Sequence, residues 1–255
     1  MSPTLAFLGN FGGAIEFIFK ERDSVGGGVR VGGLSELAGF GFTHLWISVV
    51  SVVVALVVTV PLGLYLGHKG KGEFLAISTS NVGRAVPSLA LLAFFIAFVG
   101  IGPVNVILVL VLLAIPPILT NTYVGVQQVS RDTVDAARGM GMTESEIIRR
   151  VRFPLALPLI FGGIRTASVN VVATATIAPL ANVQTLGAPI IEAQTYGFQG
   201  QLGAAIVVAI LTILVDLSFS RLQQILTPKG LKLARTAPAP RRRGILSFRK
   251  GSPAL

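Results

Sequence analysis

The segment DAARGMGMTESEIIRRVRFPLALP, residues 135–158, is a charged, glycine-containing interruption in an otherwise apolar chain. Residues 85–130, which precede it, contain no Asp, Glu, Lys or Arg. Residues 153–191, at its other end, contain only one such residue, Arg165. Because a charge is costly inside the hydrocarbon layer, this alternation predicts apolar spans on both sides of a segment that lies in water.

Composition assigns the whole chain to the membrane class. Of its 255 residues, 52% are hydrophobic and 13% are charged, and the mean hydropathy is +0.77. A soluble domain carries about 25% charged residues. We therefore expect an all-α polytopic membrane protein with about five transmembrane helices rather than a soluble helical core. The predicted helices cover residues 44–67, 85–99, 104–123, 155–179 and 201–222.

The distribution of Lys and Arg predicts the orientation of these helices. Basic residues are concentrated in the first loop, in the loop 130–154 and from residue 221 onward, and these regions all fall on one side of five helices. The positive side is cytoplasmic, so we expect the N-terminus outside and the C-terminus inside. The predicted domains are an extracytoplasmic arm (1–43), a transmembrane domain (44–226) and a basic, disordered tail (227–255) against anionic lipid. Residues 5–19 of the arm could form an interfacial helix or a sixth span.

Several functional classes find no support in the sequence. The chain has a net charge of +10, and its Lys and Arg residues lie beside apolar runs and in the tail. This distribution is typical of cytoplasmic loops and not of a nucleic-acid-binding surface. There is no Cys, and His44 and His68 lie at opposite ends of the first predicted helix, so we expect no metal site and no cofactor. The phosphate-binding motif GxxxxGK[ST] is absent, and no nucleophile–base pair in the spans indicates an enzyme.

The loop 130–154 is predicted to fold as two short helices joined by a turn. The first ends where Gly139 can adopt a left-handed conformation, and Gly141 allows a second change of direction. Thr143 and Glu146 have the spacing of a capping box, which begins the second helix, and Pro154 begins the next span. The apolar face of the second helix consists of Ile147, Ile148 and Val151. A flexible connector needs neither a cap nor an apolar face, so we expect a docking element.

This loop resembles the signature loop of the permease subunits of ABC importers. The signature has a Glu-Ala-Ala triplet, a Gly four residues later and a terminal Ile-x-Leu-Pro. Here residues 135–137, Gly141 and residues 151–154 correspond, with Asp, Val and Phe replacing the usual Glu, Ile and Leu. The resemblance implies the fold of an ABC type I importer permease, with a cytoplasmic coupling helix between helices three and four that binds an ATPase subunit. The residues implied in ATPase coupling are Asp135, Ala136, Ala137, Gly139, Gly141, Met142, Thr143, Glu144 and Pro154.

Residues 86–103, 116–126, 135–143 and 163–180 together resemble osmoprotectant permeases, which import glycine betaine, choline or carnitine. This resemblance implies a non-catalytic, multi-pass subunit of the bacterial cytoplasmic membrane. It would act with ABC ATPases, a second permease subunit and an extracytoplasmic substrate-binding protein. ANVQTLGAPI, residues 181–190, departs from the family's Gly-Ala-Gly-Gly-Leu-Gly stretch.

Other transporter classes are the competing interpretations. A permease for methionine or another amino acid is the alternative within the ABC class, because such permeases share the loop. A secondary transporter or channel is more distant, since it would be expected to show intramembrane acidic residues or an inverted repeat.

The fourth predicted helix carries small and polar residues at every fourth position: Gly162, Thr166, Asn170, Thr174 and Ala178. This stripe could line a translocation pathway at a dimer axis or form a packing seam. Its pathway candidates are Thr166, Asn170 and Thr174. Asn121 and Thr122 are candidates for a gate near the inner mouth. We expect Arg165 to snorkel to the headgroups, and Asp216 to be an interface residue.

Overall fold

The computed structural model describes residues 3–74, 78 and 86–226. The chain begins with helix α1 (Pro3–Phe19) and an antiparallel hairpin of β1 (Glu21–Asp23) and β2 (Arg30–Gly32). The helices that follow are α2 (Gly33–Lys69), α3 (Ser88–Val99), α4 (Pro103–Gln127), α5 (Arg131–Gly139), α6 (Glu144–Glu146), α7 (Phe153–Thr174), α8 (Ala188–Ile191) and α9 (Ala193–Leu226). A π-helical segment, Ile147–Arg152, joins α6 to α7, and a 3-10 helix, Ala175–Ala181, continues α7.

Four helices in the described part of the chain are long and apolar enough to cross a membrane. They are α2, α4, the continuous helix Glu144–Ala181 and α9. The predicted all-α polytopic class is therefore confirmed. Helix α3 has 12 residues, fewer than the roughly 20 that a span needs, and the predicted start of this helix at residue 85 lies outside the described residues. The count of five spans stays a prediction, and the predicted tail, residues 227–255, also lies outside the described residues.

Helix α2 begins at Gly33 and not at His44, where the sequence analysis placed it. The left-handed backbone of Gly32 and Gly33, with φ of 87° and 79°, turns the chain from the hairpin directly into the helix. His44 therefore lies inside α2 and not at its end. Its side chain is buried, and Nε2 donates a hydrogen bond of 2.8 Å to the carbonyl oxygen of Val172 on α7.

Helix α4 is at the centre of the hydrophobic core and packs against both α2 and α7. Glycines make these contacts close: a Cβ on Gly63 of α2 would lie 2.8 Å from the Thr122 side chain, and one on Gly163 of α7 would lie 2.7 Å from the carbonyl oxygen of Pro117. Close packing through small residues is the usual way in which membrane helices associate. Large apolar residues such as Val57 and Ile213 remain exposed on the outer faces of α2 and α9, where lipid would cover them.

The N-terminal arm is folded against the transmembrane helices. Phe17 of α1 is fully buried, and a Cβ on Gly203 of α9 would lie 2.9 Å from its ring. Arg22 of β1 has its guanidinium carbon 5.0 Å from the centre of the Phe17 ring and donates to the Tyr196 carbonyl oxygen. These contacts attach the arm to the N-terminal part of α9.

Residues 181–190, which depart from the resembled family, fold into the protein as a buried turn. Asn182 adopts a left-handed conformation with φ of 59° and ends the 3-10 helix. Thr185 is buried and donates a hydrogen bond of 3.1 Å to the carbonyl oxygen of Ala175. A Cβ on Gly187 would lie 1.8 Å from the Thr176 carbonyl oxygen, so only glycine fits where these two backbone segments meet.

Candidate functional site: the loop 130–154 and a polar pocket

The first half of the loop is an amphipathic helix, α5. Ser130 caps its N-terminus by accepting a hydrogen bond of 3.3 Å from the backbone N–H of Thr133. Val134 and Ala137 point inward and are buried in a small apolar cluster with Ile147. Partly buried residues pack around this cluster: Val129, Met142 and Val151. The loop therefore has its own small core, which contains Ile147 and Val151 of the predicted apolar face.

The turn after α5 depends on one glycine and not on two. Gly139 remains in the helix, whereas Gly141 has φ of +84° and reverses the chain. The backbone N–H groups of Met140 and Met142 donate to the carbonyl oxygens of Ala136 and Ala137 at 3.0 Å and 3.2 Å. Because these bonds satisfy the end of the helix, Gly139 does not need a left-handed conformation. The expectation for Gly139 is wrong, and that for Gly141 is confirmed.

The predicted capping box begins the second half of the loop. The Thr143 hydroxyl accepts a hydrogen bond of 3.3 Å from the backbone N–H of Glu146. The Glu146 carboxylate in turn accepts one of 3.0 Å from the backbone N–H of Thr143. Two N–H groups that the helix leaves without partners are satisfied reciprocally, and the capping box is confirmed.

Pro154 lies within a continuous helix and does not begin a new one. The chain is helical from Glu144 to Ala181, with a π-helical stretch from Ile147 to Arg152. The backbone N–H of Phe153 bonds to the carbonyl oxygen of Ile148, five residues earlier. Since Pro154 has no N–H to donate, the widened turn accommodates the missing bond without ending the helix. The second half of the loop is thus a direct extension of α7.

Charged side chains attach the loop to the C-terminal end of α2. Arg138 donates to both carboxylate oxygens of Glu144, at 2.8 Å and 3.2 Å. These bonds raise the pKa of the Arg138 guanidinium above its ordinary value. Glu144 also lies 2.8 Å from Nε2 of His68, whose side chain is only 4% exposed. Arg152 donates to the carbonyl oxygen of Gly67 at 3.3 Å. The contact of His68 was not predicted, because nothing in the sequence pattern pairs a helix end with a residue so far along the chain.

The opposite side of α5 and the turn after it are exposed. Asp135, Ala136 and Gly139 are exposed, and Met140 is 73% exposed although it is apolar. A Cβ on Gly139 or Gly141 would meet no atom within 4 Å. Two candidate coupling residues face inward instead: Ala137 is buried in the apolar cluster, and Met142 packs against it. The loop therefore presents an open surface of small residues around one exposed methionine.

A polar pocket of about 550 Å³ lies between α4, α7 and α9. Its polar side chains are Asn121, Arg165, Thr166, Asn170, Asp216 and Gln223. Arg165 donates to Asp216 through Nε and Nη2, both at 2.6 Å, so the guanidinium and the carboxylate form a bidentate pair. The two side chains are 36% and 34% exposed, so the pair forms part of the pocket wall. Arg165 is thus paired with α9 and does not depend on snorkelling.

The structure separates the candidate pathway residues into two groups. Thr166 and Asn170 are exposed on α7 and line the pocket, and half-buried Asn121 lines it from α4. Thr122 is fully buried where α4 packs against Gly63 of α2. Thr174 does not line the pocket either. The stripe on α7 therefore faces the pocket at Gly162, Thr166 and Asn170, and the last two offer hydroxyl and amide groups to a small polar molecule.

The family model described as "Binding-protein-dependent transport system inner membrane component" matches residues 59–231, which include the loop and the pocket. The glycine betaine/carnitine/choline transport system permease protein OpuCB of Bacillus subtilis is 40% identical over 74% of this chain and 88% of its own length. The choline transport system permease protein OpuBB of the same organism is 37% identical over 75% of this chain and 88% of its own length.

Solved structures show the same fold. The inward-facing MetNI methionine ABC transporter aligns with a TM-score of 0.66 at 22% identity, over 76% of this chain and 98% of the MetNI chain. At that identity the likeness describes the fold alone. The chain belongs to the family of binding-protein-dependent transport system inner membrane components, and its fold is that of an ABC type I importer permease.

Proposed function

We propose that this chain is the membrane-spanning subunit of an ATP-driven importer for osmoprotectants such as glycine betaine, choline or carnitine. The observation that carries this proposal is the 40% identity to a permease named for these three solutes, over 74% of the chain. In this proposal the chain itself does no chemistry, and a partner ATPase hydrolyses ATP.

The loop 130–154 is the proposed docking element for the ATPase. The exposed surface of Asp135, Ala136, Gly139, Met140 and Gly141 supports this role, because small residues allow a partner to approach the backbone. Met142 and Ala137 support that surface from beneath. The contact of Glu144 with His68 connects this surface to α2. The capping box at Thr143 begins the continuous helix that contains Pro154 and connects the surface to α7.

The polar pocket is the proposed translocation pathway. Asn121, Thr166 and Asn170 line it, and the two charges in its wall neutralise each other. A second permease subunit, identical or related, would face this side of α7 and α9 and complete the pathway. Closure of the ATPases would move the loop and, with it, α7, so that the pocket opens alternately to the two sides of the membrane.

The remaining proposals concern the side of the membrane on which each segment lies and the partner that selects the substrate. The basic residues around the loop support a cytoplasmic position for the loop and the C-terminus, with residues 1–43 outside the cytoplasmic membrane of a bacterium. The basic tail would lie against anionic lipid. Substrate selection would belong first to an extracytoplasmic binding protein, as the family description implies. A permease for methionine or another amino acid is the alternative. The likeness to MetNI does not support that substrate, because at 22% identity it shows the fold alone.

Uptake in proteoliposomes tests the function. The vesicles would hold this chain, its ATPase and its binding protein, and would receive labelled glycine betaine, choline, carnitine or methionine with and without ATP. We expect ATP-dependent accumulation of at least one quaternary amine. Accumulation of methionine alone would overturn the osmoprotectant assignment, and accumulation without the ATPase would overturn the ABC mechanism.

A further inference from the structure

The pair Arg165–Asp216 has a feature that a purely structural ion pair does not require. An intramembrane charge is costly, and a bidentate partner reduces that cost. A pair that only joined α7 to α9 would be best sealed between the two helices. Here each side chain is about one-third exposed, and both line a pocket of about 550 Å³. That volume lies within the range of small-molecule sites, about 300–1,000 Å³.

Both charged groups retain capacity for a further partner. The bidentate bond uses Nε and Nη2 of Arg165, two of the five N–H donors that a guanidinium carries. Each oxygen of Asp216 accepts one of these bonds and has a second lone pair. The small residues Gly162 and Thr166 leave room beside the pair on α7. A solute that carries one positive and one negative group could therefore approach both charges without separating them.

We propose that this pocket is a transit site for zwitterions, with the solute's carboxylate against Arg165 and its quaternary ammonium against Asp216. This inference rests on the proposed function. Glycine betaine and carnitine carry both groups, whereas choline has the ammonium but no carboxylate. A neutral pair accepts a neutral zwitterion without leaving a net charge in the membrane, while a monocation meets repulsion from Arg165.

Weak binding suits such a site. The polar side chains around the pair are Asn121, Thr166, Asn170 and Gln223, and no aromatic ring lines the pocket in the described part of the chain. Tight quaternary ammonium sites use aromatic cages. A site on a transport pathway must release its solute. Hydrogen bonds and contacts with one ion pair of the pocket wall therefore suit transport better than a tightly binding aromatic cage would.

The experiment measures initial uptake of glycine betaine and of choline by the complete transporter, with the binding protein saturated by each solute. Arg165→Gln removes the group that holds the carboxylate and leaves Asp216 to attract cations, so the glycine betaine to choline ratio should fall about fivefold or more. Asp216→Asn leaves Arg165 to attract carboxylates and repel choline, so the ratio should rise. Arg221→Gln removes a cation from the same helix, α9, but outside the pocket, and should leave the ratio unchanged.

Opposite changes in the ratio support the transit site. If both variants lower the two uptakes by one common factor, the pair only joins the helices and the inference is overturned. If an unpaired charge prevents assembly, the double variant Arg165→Gln/Asp216→Asn replaces both single ones, and an unchanged ratio there would equally overturn the inference. If the unmodified transporter took up neither solute, that result would count against the proposed function instead.

Discussion

The loop 130–154 and the polar pocket are stabilised by different kinds of contact. Within the loop, the capping box joins residues three positions apart, and Arg138 and Glu144 are six positions apart. In the pocket wall, Arg165 and Asp216 are 51 positions apart, and Gln223 donates to the carbonyl oxygen of Pro158 across 65 positions. The loop therefore has local contacts of its own and is joined to α2 through Glu144 and Arg152, whereas the pocket depends on the relative positions of three helices.

This difference suits a machine in which one region receives a force and the other responds to it. The loop has its own apolar core around Ile147, and its second half continues into α7 without a break. In the proposed mechanism, a movement of the loop would be transmitted along α7 to Thr166 and Asn170. Since α4 and α9 supply the other walls of the pocket, displacement of α7 would change its shape.

Gly141→Trp should abolish ATPase binding completely, which is the strongest change that we predict. The indole would occupy the exposed turn, and φ of +84° strains any residue with a Cβ. Gly100→Trp is the matched control, because Gly100 has φ of +86° and equally open surroundings. We expect the ATPase to copurify with the Gly100 variant and not with the Gly141 variant. Equal copurification would show that the turn is not the docking surface.

A smaller effect is expected in the pocket. Asn170→Leu should lower solute uptake about fivefold through loss of a polar contact, without reducing the amount of ATPase bound. Ser218→Leu provides the control, since Ser218 is exposed on α9 outside the pocket. Uptake and copurification would be measured on the same preparations. Normal uptake by the Asn170 variant would mean that this part of α7 is a packing surface.

The smallest effect concerns the connection between the loop and α2. Glu144→Gln weakens the contacts with Arg138 and His68 while keeping the side-chain shape. We expect about threefold less solute transported per ATP hydrolysed, because coupling through such contacts is modest. Glu21→Gln, which removes the exposed ion pair with Arg30 at 3.5 Å, should leave this ratio unaltered. If the two variants behave alike, the contact with α2 does not transmit the movement.

The sequence predicted the features that depend on contacts between residues close together in the chain. The capping box at Thr143 and the turn at Gly141 follow from local spacing and backbone freedom, and both are present. Gly139 and Pro154 were misjudged because other backbone bonds satisfied the helix end and a π-helical turn absorbed the proline. At each position two backbone conformations were possible, and residue propensity alone did not distinguish them.

Contacts between distant helices could not be predicted in this way. The amphipathic pattern of α7 indicates a polar face but not its partner, so the bonding of Arg165 to Asp216 was missed. The burial of His44 and the contact of His68 with Glu144 depend on where α2 begins and ends relative to α7 and the loop. These distances are set by helix packing, which a single sequence does not report.

Photo-crosslinking from a single thiol would show whether the loop docks on the ATPase. The chain contains no cysteine, so Met140→Cys and Val25→Cys each introduce a unique site, at positions that are 73% and 69% exposed. Each variant would carry a thiol-linked photo-crosslinker in membranes that contain the ATPase. We predict an adduct with the ATPase from position 140 and none from position 25. Absence of the adduct at 140, or equal adducts at both positions, would show that the loop is not the docking site.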